Sequence, residues 1–162
     1  MRAALAGGLA VHIVAEVADR AYFEREVAPL VGARVRLHAP ASRRDAWQRM
    51  AASAVCLVTD DITAAEAQVA GCPIVGYARG ALPEIVEQGV SGFLVPPGDG
   101  AALTIAIRRA LALDRRAVRA SGRARLLIEP MLDRYEEELG AIAERSRPAR
   151  AQVIPHPALT SF

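Results

Sequence analysis

AVCLVTDDITAAEAQVAGCPIVGYARGALPEIVEQGVSGFLVPPGDG, residues 54–100, is the stretch that decides the fold of this chain. Short, continuous apolar segments are separated by polar, glycine- and proline-containing ones, which predicts strand, helix, strand, helix and strand in succession. Continuously apolar strands are typical of a parallel sheet that is covered on both faces. We therefore predict an α/β fold, a three-layer Rossmann-like parallel sheet with helices on both faces.

The rest of the chain extends the same alternation. Strands are predicted at residues 9–17 and 34–38, and helices at residues 19–27, 42–50, 100–113, 115–127 and 131–145. Pro130 is expected to separate the last two helices. The 162 residues predict one domain, residues 1–145, followed by a disordered tail, residues 146–162, which contains three prolines and no periodicity. Residues 1–15 fit either a core strand or a processed leader, and His12 within the apolar run favours the strand.

Composition narrows the classes of function. Apolar residues make up 52% and charged residues 23%, and the net charge of +2 indicates neither a nucleic acid nor a membrane surface as partner. All 20 basic residues are arginine, which excludes a lysine Schiff base and a lysine-dependent phosphate loop. Cys56 and Cys72 fit no metal or redox spacing, so we predict free, buried thiols in a cytoplasmic protein without a membrane span.

A ligand site is expected where the parallel strands end, because helix N-termini point their free N–H groups outward at that edge. Candidate contacts for phosphate or sugar in these loops are Thr59, Asp60, Asp61, Thr63, Arg79 and Gly80. Arginine beside a helix N-terminus suits a phosphorylated ligand, since guanidinium binds phosphate through two parallel hydrogen bonds. Loop arginines are also common as solvated surface residues, so the residues alone leave both interpretations open.

Glu66 has two interpretations of its own. Thr63 and Glu66 are spaced as a capping box, in which a threonine oxygen and a carboxylate three residues later bind the first free N–H groups of a helix. In the functional alternative, the carboxylate lies at the edge of the sheet and accepts hydrogen bonds from a vicinal diol such as a ribose. The sequence contains no nucleophile motif, metal-ligand cluster or glycine-rich dinucleotide fingerprint that would indicate another chemistry.

Three consecutive motifs resemble those of a known family. Residues 66–75, EAQVAGCPIV, resemble the "EA-x-A-x-G-x-PVV" core of glycosyltransferase family 4, retaining enzymes with the two-domain GT-B fold. Residues 79–86, RGALPEIV, and residues 89–95, GVSGFLV, resemble the two motifs that follow it in that family. The resemblance extends over about residues 9–145. It implies a GT-B half-domain, the C-terminal domain that binds the nucleotide-sugar donor.

The resemblance also implies roles for individual residues. Glu66 would hold the ribose hydroxyls, His38 and Ala39 would lie in the loop near the base, and no metal or other cofactor would be needed. No residue is assigned as catalytic. The loop at residues 59–63 is shorter than in the family, and the family's phosphate-binding Arg/Lys pair and acceptor-binding domain are not matched. We therefore expect a glycosyltransferase donor domain that is weak or inactive alone and works with an acceptor-domain chain. A non-catalytic nucleotide or nucleotide-sugar binding module and an interaction protein are the alternatives.

Overall fold

The computed structural model describes residues 1–39 and 42–146. The chain divides into two compact units, Met1–Leu127 and Ile128–Phe162. Our predicted domain extends to residue 145, whereas the first unit ends at Leu127. Of the predicted tail, residues 147–162 lie outside the described residues.

The first unit contains five strands and seven α-helices among its described residues. The strands are β1 (Val11–Val14), β2 (Val35–His38), β3 (Cys56–Val58), β4 (Ile74–Tyr77) and β5 (Gly92–Val95). The helices are α1 (Arg2–Ala6), α2 (Arg20–Tyr22), α3 (Arg43–Ala52), α4 (Asp61–Ala70), α5 (Leu82–Ile85), α6 (Gly100–Ala110) and α7 (Arg115–Leu126). Helix α2 continues through a π-helical segment, Phe23–Val27, and a 3-10 turn, Ala28–Leu30. The second unit contains α8 (Ile128–Arg145).

All strand pairs are parallel, but they form two sheets. β1 pairs with β2, and β3, β4 and β5 form a sheet in which Cys56 lies opposite Ile74 and Ile74 opposite Gly92. Within the described part of the chain, no backbone pairing joins β1 to β3, so the predicted sheet is divided at this point. The predicted α/β class is confirmed.

Two hydrophobic clusters cover opposite faces of the β3–β4–β5 sheet. Side chains of neighbouring strand residues point to opposite faces, so Val75 and Ile74 belong to different clusters. Val75 packs with Phe93 and with Ile107 of α6, and Ala4 of α1 joins them. Ile74 packs with buried residues of α4 and α5. Helices therefore lie on both faces of this sheet, as predicted.

Two local predictions are corrected. The N-terminal residues form helix α1 before the strand, and the strand is limited to Val11–Val14. Pro130 does not break a helix, because it lies in the first turn of α8, where its missing N–H would have no partner in any case. The break comes earlier, at Leu127, which has an extended backbone with ψ of 162°.

Helix α7 is attached to the rest of its unit by arginine side chains. Arg115 donates to the Ala51 carbonyl at 2.6 Å, at the C-terminal end of α3. Arg119 donates to the Ala70 carbonyl at 2.8 Å, at the C-terminal end of α4. Arg125 donates at 2.7 Å to a carbonyl of α5. The last carbonyls of a helix have no partner within it and carry partial negative charge, so these cationic donors stabilise three helix ends at once.

Candidate functional site

Helix α4 begins at Asp61, earlier than a capping box of Thr63 and Glu66 would require. Its N-cap is Asp60, whose carboxylate accepts a hydrogen bond from the Thr63 N–H at 2.7 Å. The prediction that Thr63 and Glu66 form a capping box is therefore wrong. Aspartate binds the first N–H groups of a helix better than threonine does, which explains why the helix begins at the earlier residue. The Glu66 carboxylate is left free for another role.

The partner of Glu66 is Arg43, the first residue of α3. Arg43 Nε lies 2.8 Å from Glu66 Oε1, and the side chain of Glu66 is 18% exposed while that of Arg43 is 84% exposed. Ser42 caps α3 by accepting from the Asp45 N–H at 3.2 Å and donating to the Asp45 carboxylate at 2.7 Å. The cap fixes the backbone beside Arg43, and the first turn of α3 and the second turn of α4 meet at this ion pair.

The loop between β3 and α4 consists of two residues, Thr59 and Asp60. Both are exposed, but one carboxylate oxygen of Asp60 is already used by the helix cap. Asp61 is the first residue of α4, and its carboxylate accepts from the Ile62 N–H at 3.1 Å. Thr63 is partly buried in the first turn. These four predicted residues therefore lie together at the N-terminus of α4. The two-residue loop before the helix is too short to fold over a ligand.

The loop after β4 carries the other two predicted contacts. β3 and β4 are parallel neighbours, so this loop emerges at the same edge of the sheet as the N-terminus of α4. Arg79 is exposed, and its carbonyl accepts from the Leu82 N–H at 3.1 Å, which closes the turn into α5. Gly80 adopts a φ of +53°, a left-handed conformation that glycine adopts without strain.

His38 ends β2 and forms a pair that the sequence did not indicate. Its Nε2 lies 2.9 Å from Nδ1 of His12, and the two rings stack with centroids 5.0 Å apart. Partial desolvation, followed by the positive charges of Arg49, His12 and Arg36, lowers the pKa of His38 below its ordinary 6.5. Ala39, next in the chain, is exposed.

The predicted site residues are thus gathered at strand ends but not all in mutual contact. Among the described residues, no hydrogen bond joins the His38 pair or Arg79 to Glu66. The pairing of His12 with His38 could have been predicted from the register of β1 and β2, where diagonal neighbours on one face come within reach of each other. The contact between Arg43 and Glu66 has no comparable sequence signal.

With this geometry in place, comparison with known proteins identifies the family. Residues 2–113, more than half of the chain, match the family model described as "Glycosyl transferases group 1". The chain belongs to this family. A comparison with curated protein sequences gave no significant match.

Solved structures resemble this group 1 glycosyltransferase chain in fold. AviGT4, a glycosyltransferase involved in avilamycin A biosynthesis, has a TM-score of 0.69 and 24% identity over 88% of this chain and 46% of its own. Anabaena Alr3699/HepE, in complex with UDP-glucose, has a TM-score of 0.64 and 21% identity over 82% of this chain and 41% of its own. The pneumococcal O-GlcNAc transferase GtfA, in complex with UDP and GlcNAc, has a TM-score of 0.60 and 17% identity over 87% of this chain and 31% of its own. The chain therefore spans less than half the length of each of these structures.

Other features of the group 1 glycosyltransferase chain lie away from the strand ends. A groove of about 460 Å³ with both polar and apolar lining runs between β5 and α6, with Phe93, Ile105 and Arg109 among its lining residues and none of the predicted site residues. The Gln88 amide there pairs with both the N–H and the carbonyl of Leu94, so it protects the outer edge of β5.

The part of the chain that the structure describes gives two further observations. No three His, Cys, Asp or Glu side chains in it are grouped so that they could hold a metal ion. No helix in it combines the length and apolar character that crossing a membrane would require.

Proposed function

We propose that this chain is the C-terminal, nucleotide-sugar-binding domain of a retaining glycosyltransferase of the family 4 type, and that Glu66 holds the ribose of the donor. The position of Glu66 carries the proposal. Its carboxylate is largely buried, takes no part in the helix cap, and lies one turn into α4 at the edge where the parallel strands end. A carboxylate accepts two hydrogen bonds, which matches the two adjacent hydroxyls of a ribose.

We place the diphosphate of the donor against the N-terminus of α4 and the loop after β4. Helix N–H groups and a guanidinium both stabilise negative charge, and Arg79 is exposed at this edge. The proposed phosphate and sugar contacts are Thr59, Asp60, Asp61, Thr63, Arg79 and Gly80, and the proposed base contacts are His38 and Ala39. Arg79 and the positive end of the α4 dipole would supply the positive charge without a metal ion, so binding is expected to be independent of EDTA. The free thiols Cys56 and Cys72 support a cytoplasmic location.

Solved complexes support the assignment of the ligand class. HepE was solved with UDP-glucose and GtfA with UDP and GlcNAc, and both share the fold of this chain. We extend the class of ligand, a nucleotide sugar, from those proteins to this one. The base and the sugar are left open, because no side chain described above distinguishes one base from another.

One observation favours a non-catalytic binding module as the second candidate. Only Thr59 and Asp60 join β3 to α4, so the chain has no turn there that could enclose the donor sugar. Transfer depends on electrostatic stabilisation of the departing diphosphate in a site that excludes water. An acceptor-domain chain that closes over this edge would supply what the short loop does not.

Calorimetric titration of the full chain tests donor binding. UDP, GDP, ADP and their sugar conjugates are each titrated into the wild type, Glu66→Ala and Glu66→Gln. Saturable binding of at least one nucleotide is expected, with a loss of about tenfold or more in either variant, because a hydrogen bond to a charged group contributes roughly 1.5–3 kcal/mol. Glu24→Ala is the matched control, since Glu24 also pairs with an arginine, Arg20, but is 62% exposed.

Two results would contradict the assignment. If the folded wild type bound none of these nucleotides, the donor-domain proposal would fail. If both Glu66 variants bound as tightly as the Glu24→Ala control, the ribose would have to be held elsewhere. Hydrolysis of the bound donor, measured with and without an acceptor-domain chain, then separates an enzyme domain from a binding module.

A further inference from the structure

The ion pair at the candidate site leaves most of one guanidinium unused. Arg43 binds Glu66 through Nε alone, at 2.8 Å, and its side chain is 84% exposed. A guanidinium has five N–H donors in a rigid fork, of which four belong to its two terminal nitrogens. Within the described residues those terminal nitrogens have no hydrogen-bond partner, so they face solvent beside a largely buried carboxylate.

The carboxylate can bind arginine and a diol together. Its two oxygens offer about four lone-pair positions, and Arg43 uses one of them on Oε1. Oε2 and the remaining position on Oε1 are left for two hydroxyl donors. Arg43 therefore orients the Glu66 carboxylate without occupying all of its hydrogen-bond positions. The terminal nitrogens of Arg43 share a carbon with Nε, so a ribose held by Glu66 would lie beside them, and the inference requires its 5′ substituent to extend towards them.

The two terminal nitrogens of the Arg43 guanidinium favour an anionic ligand. Four donors in a plane match a phosphate group, which accepts two parallel hydrogen bonds, whereas a neutral substituent uses them poorly. The backbone beside Arg43 is fixed by the Ser42 cap, so only the side chain has to be ordered when a ligand binds.

We propose that Arg43 is a donor-binding residue that joins ribose recognition to phosphate recognition, with Nε holding Glu66 and the terminal nitrogens binding the diphosphate. This inference rests on the proposed function and deepens it. It assigns a cationic phosphate contact to α3, and the link of that contact to Glu66 is what the sequence did not indicate. The site should accordingly prefer a nucleoside diphosphate over the nucleoside that carries the same base and ribose.

The experiment compares the two ligands in the same variants. Whichever of UDP, GDP and ADP binds most tightly is titrated into the full chain alongside its nucleoside, for the wild type, Arg43→Ala, Arg43→Lys and Arg44→Ala. Arg44 is the matched control, because it is also exposed, lies on the same helix and has the same charge, but points about 100° away around the helix. Circular dichroism confirms that each variant is folded.

Arg43→Ala is expected to weaken diphosphate binding by roughly ten- to a hundredfold and nucleoside binding by less than about threefold. Arg43→Lys should recover part of the loss, because it restores the charge but not the fork. Arg44→Ala should leave both affinities unchanged. The preference of the wild type for the diphosphate should also decrease with added salt, and that of Arg43→Ala should decrease less.

Three outcomes would overturn the inference. An equal loss for both ligands would mean that Arg43 only orients Glu66. Tighter binding in Arg43→Ala would mean that Arg43 competes with the ligand for the carboxylate. If Arg44→Ala lost as much affinity for the diphosphate as Arg43→Ala, the effect would come from the general surface charge and not from a specific contact of Arg43. In all three cases the wild type still binds the nucleotide, so the proposed donor function stands. Only a wild type that binds neither the diphosphate nor the nucleoside would contradict both the inference about Arg43 and the proposed donor function.

Discussion

Replacing Gly122 by alanine should weaken the packing of α7 on α4. A Cβ atom at Gly122 would lie 2.8 Å from the carbonyl carbon of Gln68 and 2.9 Å from the Val69 nitrogen. Both are backbone atoms of α4 and cannot rotate away. Carbon atoms pack best at about 3.5–4.0 Å, so the two helices would have to separate by roughly 0.7 Å or more.

The expected cost follows from three contributions. Overpacking of this kind costs about 1–3 kcal/mol. Separation of the helices also strains the hydrogen bond from Arg119 to the Ala70 carbonyl, now 2.8 Å, and a bond of this type contributes roughly 1 kcal/mol. Alanine recovers about 1 kcal/mol through its higher helix propensity. The net expectation is a loss of about 2 kcal/mol in the free energy of unfolding.

Urea unfolding followed by tryptophan fluorescence measures this loss of stability in the first structural unit, Met1–Leu127. Trp47 is the single tryptophan of the chain and lies in α3, so its emission reports on the first unit. With a slope of about 2 kcal/mol per molar urea, the midpoint should decrease by about 1 M. Gly140→Ala is the control, since Gly140 lies in α8 with open space around its Cβ position, and it should increase helicity without shifting the tryptophan transition. An unchanged or higher midpoint in Gly122→Ala would refute the close contact.

The remaining predictions concern charge and titration. Arg119→Ala should lower the free energy of unfolding by about 1–2 kcal/mol in the same urea assay, because the last carbonyl of α4 loses its cationic donor, whereas Arg123→Ala, an exposed arginine on the same helix, should change it little. Burial raises the pKa of Cys56 to about 11 and of Cys72 to about 12 from an ordinary 9.0, so neither thiol should react with a disulfide reagent at pH 8 until the chain unfolds. The unfolded thiols ionise at a lower pH than the folded ones, so the free energy of unfolding should decrease as the pH rises from about 9 towards 11. Thiol labelling of the folded chain at pH 8, or a free energy of unfolding that does not change over this pH range, would contradict the raised pKa values. His38 should titrate below 6.5 in an NMR experiment, because desolvation and then neighbouring positive charges lower its pKa, and a value at or above 6.5 would contradict this environment.

Sequence reasoning succeeded where the determining interactions are local. The starts of α3 and α6 lie within one residue of the predicted ones, where Ser42 and Asp99 cap them, since a cap depends on residues within one turn of it. The same rule failed at α4, where Asp60 and Thr63 are both good caps and only one can be used. The alternation of strands and helices was also predictable, because apolar runs of strand length are short and distinct. The bounds of β1 and the helix before it were not.

Contacts between distant residues decide the site, and they were not predictable from pattern. Arg43 and Glu66 are 23 residues apart, and nothing in either segment specifies that α3 and α4 present these side chains to each other. The arginines of α7 look like a solvated charged surface in the sequence, yet they reach helix ends as far as 64 residues away. The side chains by which α7 reaches these helix ends are arginines, so the apolar pattern of the helix, in which Val118 is buried, does not indicate which ends it binds.

Helix α4 is held at both ends, and this determines which activity can be expected of the chain. Asp60 caps its start, Arg43 fixes the carboxylate one turn later, and Arg119 binds its last carbonyl beside Gly71, which turns the chain out of the helix with a φ of +79°. A carboxylate oriented in advance costs little to organise when a ligand arrives, so under the proposed function we expect nucleotide binding to need only residues of the first unit. Transfer needs more, because the two-residue loop before α4 cannot exclude water from a departing diphosphate. Under the proposed function, binding and transfer should therefore be separable, and nucleotide binding should persist when no acceptor-domain chain is present.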